Sequence, residues 1–109
     1  MSKSIISNEK RCYFTGRTTG IDRHHLLHGN GVKQLAEQDG LWIWIDHQLH
    51  MLIHDKGYFV LSYEFSISIT DKELQAFAQR VFIKNKVQQG YTEGQARGIF
   101  FNRYGRFYD

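Results

Sequence analysis

The arrangement of apolar and polar residues along the chain predicts short elements joined by tight turns. Residues 41–45 form an unbroken apolar run, LWIWI, which is long enough for one buried strand and too short for a typical helix. Asp46 follows the run and can cap a helix over residues 47–56. Upstream, residues 23–27 predict a first strand, and residues 32–38 predict a short helix after a glycine-rich turn.

The second half of the chain predicts two helices after a segment of weak alternation. Residues 58–69 alternate only weakly and predict a strand or an extended linker. Thr70 and Glu73 have the spacing of a capping box, and the helix that they open carries one apolar stripe as far as about residue 88. Residues 92–95, TEGQ, repeat this signature before a second, shorter stripe. The predicted order is therefore strand, loop, strand, helix and then two further helices.

The length and composition describe a single domain over residues 1–109. A hydrophobic content of 41% with 15% aromatic residues is that of a folded protein. No run of about 18 apolar residues occurs, which predicts no membrane span. Residues 1–11 predict a loose polar arm without the apolar core of a secretory signal, and the single cysteine, Cys12, fits a reducing cytoplasm. The formal net charge of +3 is compatible with a polyanionic partner.

All six histidines lie in less than a third of the chain, which predicts one functional site. Imidazole is both a good neutral metal ligand and a proton acceptor near neutral pH. His50 and His54 are four residues apart, so on a helix they share one face, with about 5–6 Å between their Cβ atoms. That spacing allows both to bind one metal ion. His47 shares the face as a further candidate ligand, and His28 is expected in a loop near the site.

The adjacent pair His24 and His25 predicts a division of roles. Neighbours on a strand point to opposite faces, so one imidazole could bind a metal ion while the other faces the substrate as a base. Metal-assisted phosphodiester hydrolysis needs this combination. A zinc protease of the H-E-x-x-H type is excluded, because MLI follows His50 and supplies no carboxylate. The competing interpretation is that a histidine pair on a helix surface is merely solvated.

The chain contains the segments CYFTG, RHHLL, GNG, KQLAEQDGLWIWI and HMLIH, followed by the helix near residues 74–82 and the ending IFFNRYGR. Together these segments resemble the small HNH-type nucleases encoded by phages and prophages of Gram-positive bacteria. It implies an α+β fold in which residues 12–57 form a ββα-metal core, as in His-Me finger nucleases. Residues 58–109 would then add C-terminal helices.

The resemblance also implies roles for individual residues. His24 would be a metal ligand, His25 the general base, and His50 a ligand from the helix. The H-x-x-x-H spacing is similar to that of the DNase domains of nuclease colicins, which adds His54 as a ligand. The Asn that an HNH motif has near its second strand is missing, so Asn30 in the glycine-rich turn is the candidate for orienting the base.

The cysteine pairs with which many of these nucleases hold a structural zinc are missing from this chain. Thr15 stands where a second cysteine would be, and Asp46 and Leu49 stand where the other pair would be. Because Cys12 alone cannot hold that ion, no structural zinc is expected. The apolar core would have to stabilise the finger instead.

The sequence therefore predicts a metal-dependent DNA endonuclease or nickase, encoded by a phage and acting in the cytoplasm of a bacterial host. We expect one divalent ion, which could be Mg, Mn, Ni or Zn. Candidate phosphate contacts are the basic residues Lys33, Lys56, Arg80, Arg97, Arg103 and Arg106. Two alternatives stay open: a catalytically degenerate HNH-fold protein that binds nucleic acid or a protein partner, and a structural metal module in a larger complex.

Overall fold

The structure is a computed structural model that describes residues 3–109. Its elements are two strands and five helices, in the order β1 (Ile21–His25), α1 (Val32–Asp39), β2 (Trp42–Asp46), α2 (His47–Lys56), α3 (Phe59–Phe65), α4 (Asp71–Gln88) and α5 (Glu93–Tyr104). The predicted α+β class is confirmed. Across the described residues, no helix combines the length and the apolar character needed to cross a membrane.

The strands β1 and β2 pair antiparallel in a two-stranded sheet, and α1 connects them. In this register His24 lies opposite Ile43, whereas His25 lies opposite Trp42. Directly opposed residues of an antiparallel pair project from the same face. One face, which we call the α2 face, carries Asp22, His24, Ile43 and Ile45. The other, which we call the arm face, carries Arg23, His25, Trp42 and Trp44.

The first strand lies two residues earlier than the sequence predicts, at Ile21–His25 instead of 23–27. Leu26 and Leu27 leave the sheet because both side chains are fully buried in the main core. A residue pair on a strand would place one of the two leucines on the opposite face. The Leu26 amide still donates to the Leu41 carbonyl at 3.2 Å, so hydrogen bonding between the two chain segments extends one residue beyond β1.

Helix α2 begins directly after β2 and has the predicted bounds, His47–Lys56. The Asp46 carboxylate caps it by accepting from the backbone N–H groups of Gln48 at 2.9 Å and Leu49 at 3.2 Å. Leu49 and Ile53 pack with Ile45 in a second buried cluster beneath the helix. This packing sets the rotation of α2, so that its histidines face β1.

Residues 58–69 do not form the predicted strand or extended linker, because Phe59–Phe65 is the helix α3. Val60 and Leu61 are both buried, and burial of consecutive residues suits one side of a short helix better than a half-exposed strand. The helix ends at Ser66, which adopts a left-handed conformation with φ 57°. Tertiary burial here overrides the β-propensity of the aromatic and branched residues.

Helices α4 and α5 have the two predicted caps and pack against each other. Thr70 accepts from the Glu73 amide at 3.1 Å, and Thr92 and Gln95 form a reciprocal capping box. The main core joins these two helices to Leu27 and Ile43 of the sheet region. Within it, the rings of Phe82 and Phe100 meet edge to face with centroids 5.3 Å apart. The C-terminal helices thus pack against the region of the two-stranded sheet through this core.

The N-terminal arm is not loose where the structure describes it. The Ile5 amide donates to the Gly40 carbonyl at 2.9 Å, and Ser4 Oγ donates to the Trp42 carbonyl at 2.5 Å. Gly40 has φ +73°, and a Cβ there would collide with the Lys3 carbonyl oxygen, so the close approach of the arm requires glycine. The first two residues of the predicted arm lie outside the described residues.

Candidate metal centre

Three imidazoles converge between β1 and α2. His24 comes from the strand, and His50 and His54 come from consecutive turns of the helix. Each offers one ring nitrogen, and these nitrogens all lie within 4.8 Å of one another. The Nε2 atoms of His50 and His54 are 3.0 Å apart. This group, which we call the histidine cluster, brings together the three residues that the sequence predicts as metal ligands.

The histidine cluster is electrostatically suited to a cation. Burial, with the neighbouring His50 and His54, lowers the pKa of His24 to about 3. Burial and His50 likewise lower the pKa of His54. Both rings are therefore neutral at pH 7 and present lone pairs, which is the form that binds a metal ion.

Asp22 contacts one histidine of the cluster, and the sequence does not predict this contact. Its Oδ2 lies 3.0 Å from His50 Nδ1 and 2.6 Å from His47 Nδ1. Hydrogen bonds with His50 and His47 lower the pKa of Asp22, so it is a carboxylate acceptor at neutral pH. A carboxylate on Nδ1 fixes the tautomer that leaves His50 Nε2 free to ligate. His47 thus pairs with Asp22 and lies outside the cluster. The sequence signal that could have identified Asp22 is its position two residues before His24, on the same face of the strand.

Tyr58, just before α3, also reaches the histidine cluster. Its hydroxyl forms a hydrogen bond with His24 Nε2. Burial raises the pKa of Tyr58, so the phenol stays protonated. The contact fixes the orientation of the His24 ring, and no feature of the sequence near Tyr58 indicates it.

His25 lies on the arm face, where its partner is Glu37 of α1. His25 Nε2 is 3.0 Å from Glu37 Oε1, and the other carboxylate oxygen lies 2.5 Å from Arg23 Nη1. Burial lowers the pKa of His25, while the Glu37 carboxylate opposes the shift. The ring is neutral at pH 7 as a result. Asn30, which the sequence predicts as its orienting partner, is exposed in the turn before α1 and makes no hydrogen bond to His25 in the described structure.

The remaining candidate residues are not part of the histidine cluster, although His28 and Lys33 lie near enough for their charges to add to the effect of burial that lowers the pKa of His54. His28 is exposed and its Nε2 lies 3.1 Å from Asp71, at the start of α4. Arg103 is held by Asp39 at 2.5 Å, and Arg97 pairs with Asp109 at 3.2 Å. These two arginines therefore have partners within the fold.

The other basic candidates differ in their surroundings. Lys33 lines an open cleft together with His25 and Glu37. Lys56 ends α2, next to an exposed apolar patch around Phe59. Arg106 stacks on the Tyr108 ring, with Cζ 4.5 Å from its centroid. Of this set, Lys33 is the residue that shares a cleft with a predicted catalytic side chain.

Comparison of the chain with protein-family models, with curated proteins and with solved structures finds no match. The geometry and chemistry of the residues are therefore the basis on which its function is inferred.

Proposed function

We propose that the chain is a divalent-metal-dependent phosphodiester hydrolase that cuts or nicks DNA, with His24, His50 and His54 as the metal ligands. The observation that carries the proposal is the convergence of three imidazoles from β1 and α2, of which His24 and His54 are neutral at pH 7. The hairpin followed directly by α2 supports a ββα-metal core of the kind that the sequence resembles. A phage origin and a bacterial cytoplasm belong to the same proposal.

The donor set fits a transition-metal ion better than magnesium. Imidazole suits Zn and Ni, whereas Mg and Mn usually take oxygen ligands. When bound, such an ion neutralises charge on a phosphodiester and on the departing oxygen. Three protein ligands leave coordination positions open, as a catalytic site requires. Asp22 then serves to hold His50 in its ligating tautomer.

His25 is the proposed base, and Glu37 takes the orienting role that the sequence assigned to Asn30. A carboxylate at Nε2 favours the tautomer with hydrogen on that nitrogen, which leaves Nδ1 as the proton acceptor. In the two-stranded sheet, β1 has no strand beyond it, so a phosphodiester at this edge could contact both faces. Lys33 in the same cleft would contribute positive charge.

One observation favours the alternative of a binding protein without catalysis. His24 and His25 project from opposite faces of the sheet, so the base and the metal ligands are separated by the strand itself. Glu37 also already occupies one nitrogen of His25. If the substrate does not span the strand edge, the metal site would serve DNA or protein binding alone.

The deciding experiment incubates the purified protein with supercoiled plasmid in Mg, Mn, Ni or Zn. His25→Ala should abolish nicking and leave metal affinity nearly intact, whereas His50→Ala should reduce both. His28→Ala is the matched control, because His28 is exposed, pairs with Asp71 and offers no ring nitrogen to the cluster. Nicking that survives in His25→Ala would remove the base assignment. No nicking with any metal, together with tight DNA or protein binding, would establish the binding protein.

A further inference from the structure

The arm face of the sheet carries a second group of side chains that the proposed function does not use. The Arg23 guanidinium lies over Trp42, with Cζ 4.3 Å from the ring centroid, and 5.6 Å from the centroid of Trp44. Lys10 Nζ lies 5.3 Å from the Trp44 centroid. A cavity of about 320 Å³ opens between these side chains and the N-terminal arm. We call it the arm cavity.

Two buried polar atoms at the arm cavity have no hydrogen-bond partner among residues 3–109. They are Ser7 Oγ and Trp42 Nε1, and both residues line the cavity. Buried polar groups are normally paired, and each exception calls for an explanation. The indole N–H of Trp42 can only donate, and the Ser7 hydroxyl can donate as well. A ligand atom that accepts hydrogen bonds would satisfy both.

The charges around the arm cavity specify that ligand further. Lys3 and Lys10 line it and supply ammonium groups, which donate and do not accept. The carboxylate of Glu9 is also on the wall, but it is paired with Arg11 at 2.8 Å, so the pair adds no net charge. Donors with an excess of positive charge fit an oxyanion, and two lysines match the charge of a phosphate group.

The arm can admit such a group without loss of its anchor. Ser4 Oγ accepts from the backbone N–H groups of Ile6 at 3.0 Å and Ser7 at 2.8 Å, and donates to the Trp42 carbonyl. Residues 8–10, by contrast, make no hydrogen bond to the sheet in the described structure. An outward shift of this stretch would break no hydrogen bond to β2.

We propose that the arm cavity is a phosphate-binding site, separate from the histidine cluster and on the opposite face of the sheet. Its ligand is a terminal phosphate group, supplied either as inorganic phosphate or a mononucleotide, or as the 5′ phosphate of a nucleic-acid strand. Ser7 and Trp42 donate hydrogen bonds to the group, and Lys3 and Lys10 neutralise its charge.

Tryptophan fluorescence tests the proposal directly, because the two tryptophans of the chain both line the arm cavity. Chelator-treated protein is titrated with sodium phosphate at constant ionic strength, with sodium chloride and sodium acetate in parallel. We expect a saturable change with phosphate alone. Ser7→Ala and Lys10→Gln should each raise the Kd about tenfold, as expected for loss of a hydrogen bond to a charged group. Lys84→Gln, on α4 and outside the cavity, is the matched control and should leave the Kd unchanged.

Two further experiments locate the site and identify its ligand. His50→Ala should bind phosphate normally, and loss of binding in that variant would move the site to the histidine cluster and overturn the proposal. A 5′-phosphorylated oligonucleotide that binds more tightly than phosphate, while its 5′-hydroxyl form does not bind in the cavity, supports the strand end as the source. Equal affinity for the phosphorylated strand and for phosphate supports a free phosphate. No saturable change, an equal response to acetate, or an unchanged Kd in both Ser7→Ala and Lys10→Gln would refute the site.

Discussion

The role of Asp22 gives the sharpest test of the metal centre. Asp22→Asn keeps the size of the side chain and one acceptor oxygen, but it removes the negative charge next to His50 Nδ1. If His50 is a metal ligand, that charge makes its imidazole a stronger electron-pair donor to the metal ion and fixes its tautomer. The substitution should therefore weaken metal binding and leave all three ligands in place.

The expected size of the effect follows from the geometry of Asp22. Its Oδ2 lies 3.0 Å from His50 Nδ1, which is a normal distance for a charge-assisted hydrogen bond. Loss of such an outer partner typically reduces metal affinity by about 10- to 100-fold. That corresponds to about 1.4–2.7 kcal/mol of binding free energy. Direct removal of a ligand in His50→Ala should have a larger effect.

The assay is a metal titration of chelator-treated protein, followed by calorimetry or by competition with a chromophoric chelator. His47→Ala is the matched control, because it removes the other contact of the same carboxylate, at 2.6 Å, without touching a proposed ligand. We expect the Kd of His47→Ala to stay within about twofold of the wild type. An unchanged Kd in Asp22→Asn, or equal losses in both variants, would show that Asp22 does not act through His50.

Three further predictions address stability and the proposed base. In the metal-free protein the free energy of unfolding should fall as the pH drops from 6.5 towards 3, because His24 has a pKa of about 3 when folded and in this range takes up its proton only on unfolding. In urea titrations the slopes of the wild type and of His24→Gln should differ by up to about 1.4 kcal/mol per pH unit, and an equal slope in both proteins would contradict it. Phe100→Ala should lower the free energy of unfolding by about 3–5 kcal/mol, since Phe100 is fully buried. Phe101→Ala, at a residue that is 46% exposed, should lower it by under about 1 kcal/mol. Similar losses of unfolding free energy in the two variants would place the core elsewhere. Glu37→Gln should lower the rate of DNA nicking about 10- to 100-fold with the metal Kd unchanged, and Asn30→Ala should have the wild-type rate. A lower nicking rate in Asn30→Ala, with the wild-type rate in Glu37→Gln, would return the orienting role to Asn30.

The elements that the sequence predicted well are those set by local chemistry. The bounds of α2 follow from one carboxylate at its start and one glycine at its end, and both act within a few residues. The Thr70 N-cap of α4, which forms without the reciprocal Glu73 bond of a capping box, and the capping box of α5 are local in the same way. By contrast, α3 was missed because its helical form depends on burial of Val60 and Leu61 against α2, and no local pattern encodes that contact.

The sequence predicted the three histidines that converge at the candidate site, and it missed the residues that contact them. His50 and His54 are placed by helix periodicity, which the sequence shows directly. Glu37 and Tyr58 meet His25 and His24 only through tertiary packing, at separations of 12 and 34 residues. Such contacts depend on how α1 and α3 dock on the hairpin, and that information is not contained in the spacing of any motif.

The two adjacent histidines illustrate why the proposed roles can be tested separately. His24 and His25 are neighbours in sequence, yet strand geometry gives them different faces and different partners. His24 lies among imidazoles and contacts Tyr58, while His25 is paired with a carboxylate. A substitution that perturbs Glu37 therefore reaches the proposed base through α1, and one that perturbs Asp22 reaches the metal ligands through α2. Because Glu37→Gln is expected to leave the metal Kd unchanged, the double variant Glu37→Gln/Asp22→Asn should bind metal as weakly as Asp22→Asn alone, and a further loss in the double variant would mean that His25 also touches the metal site.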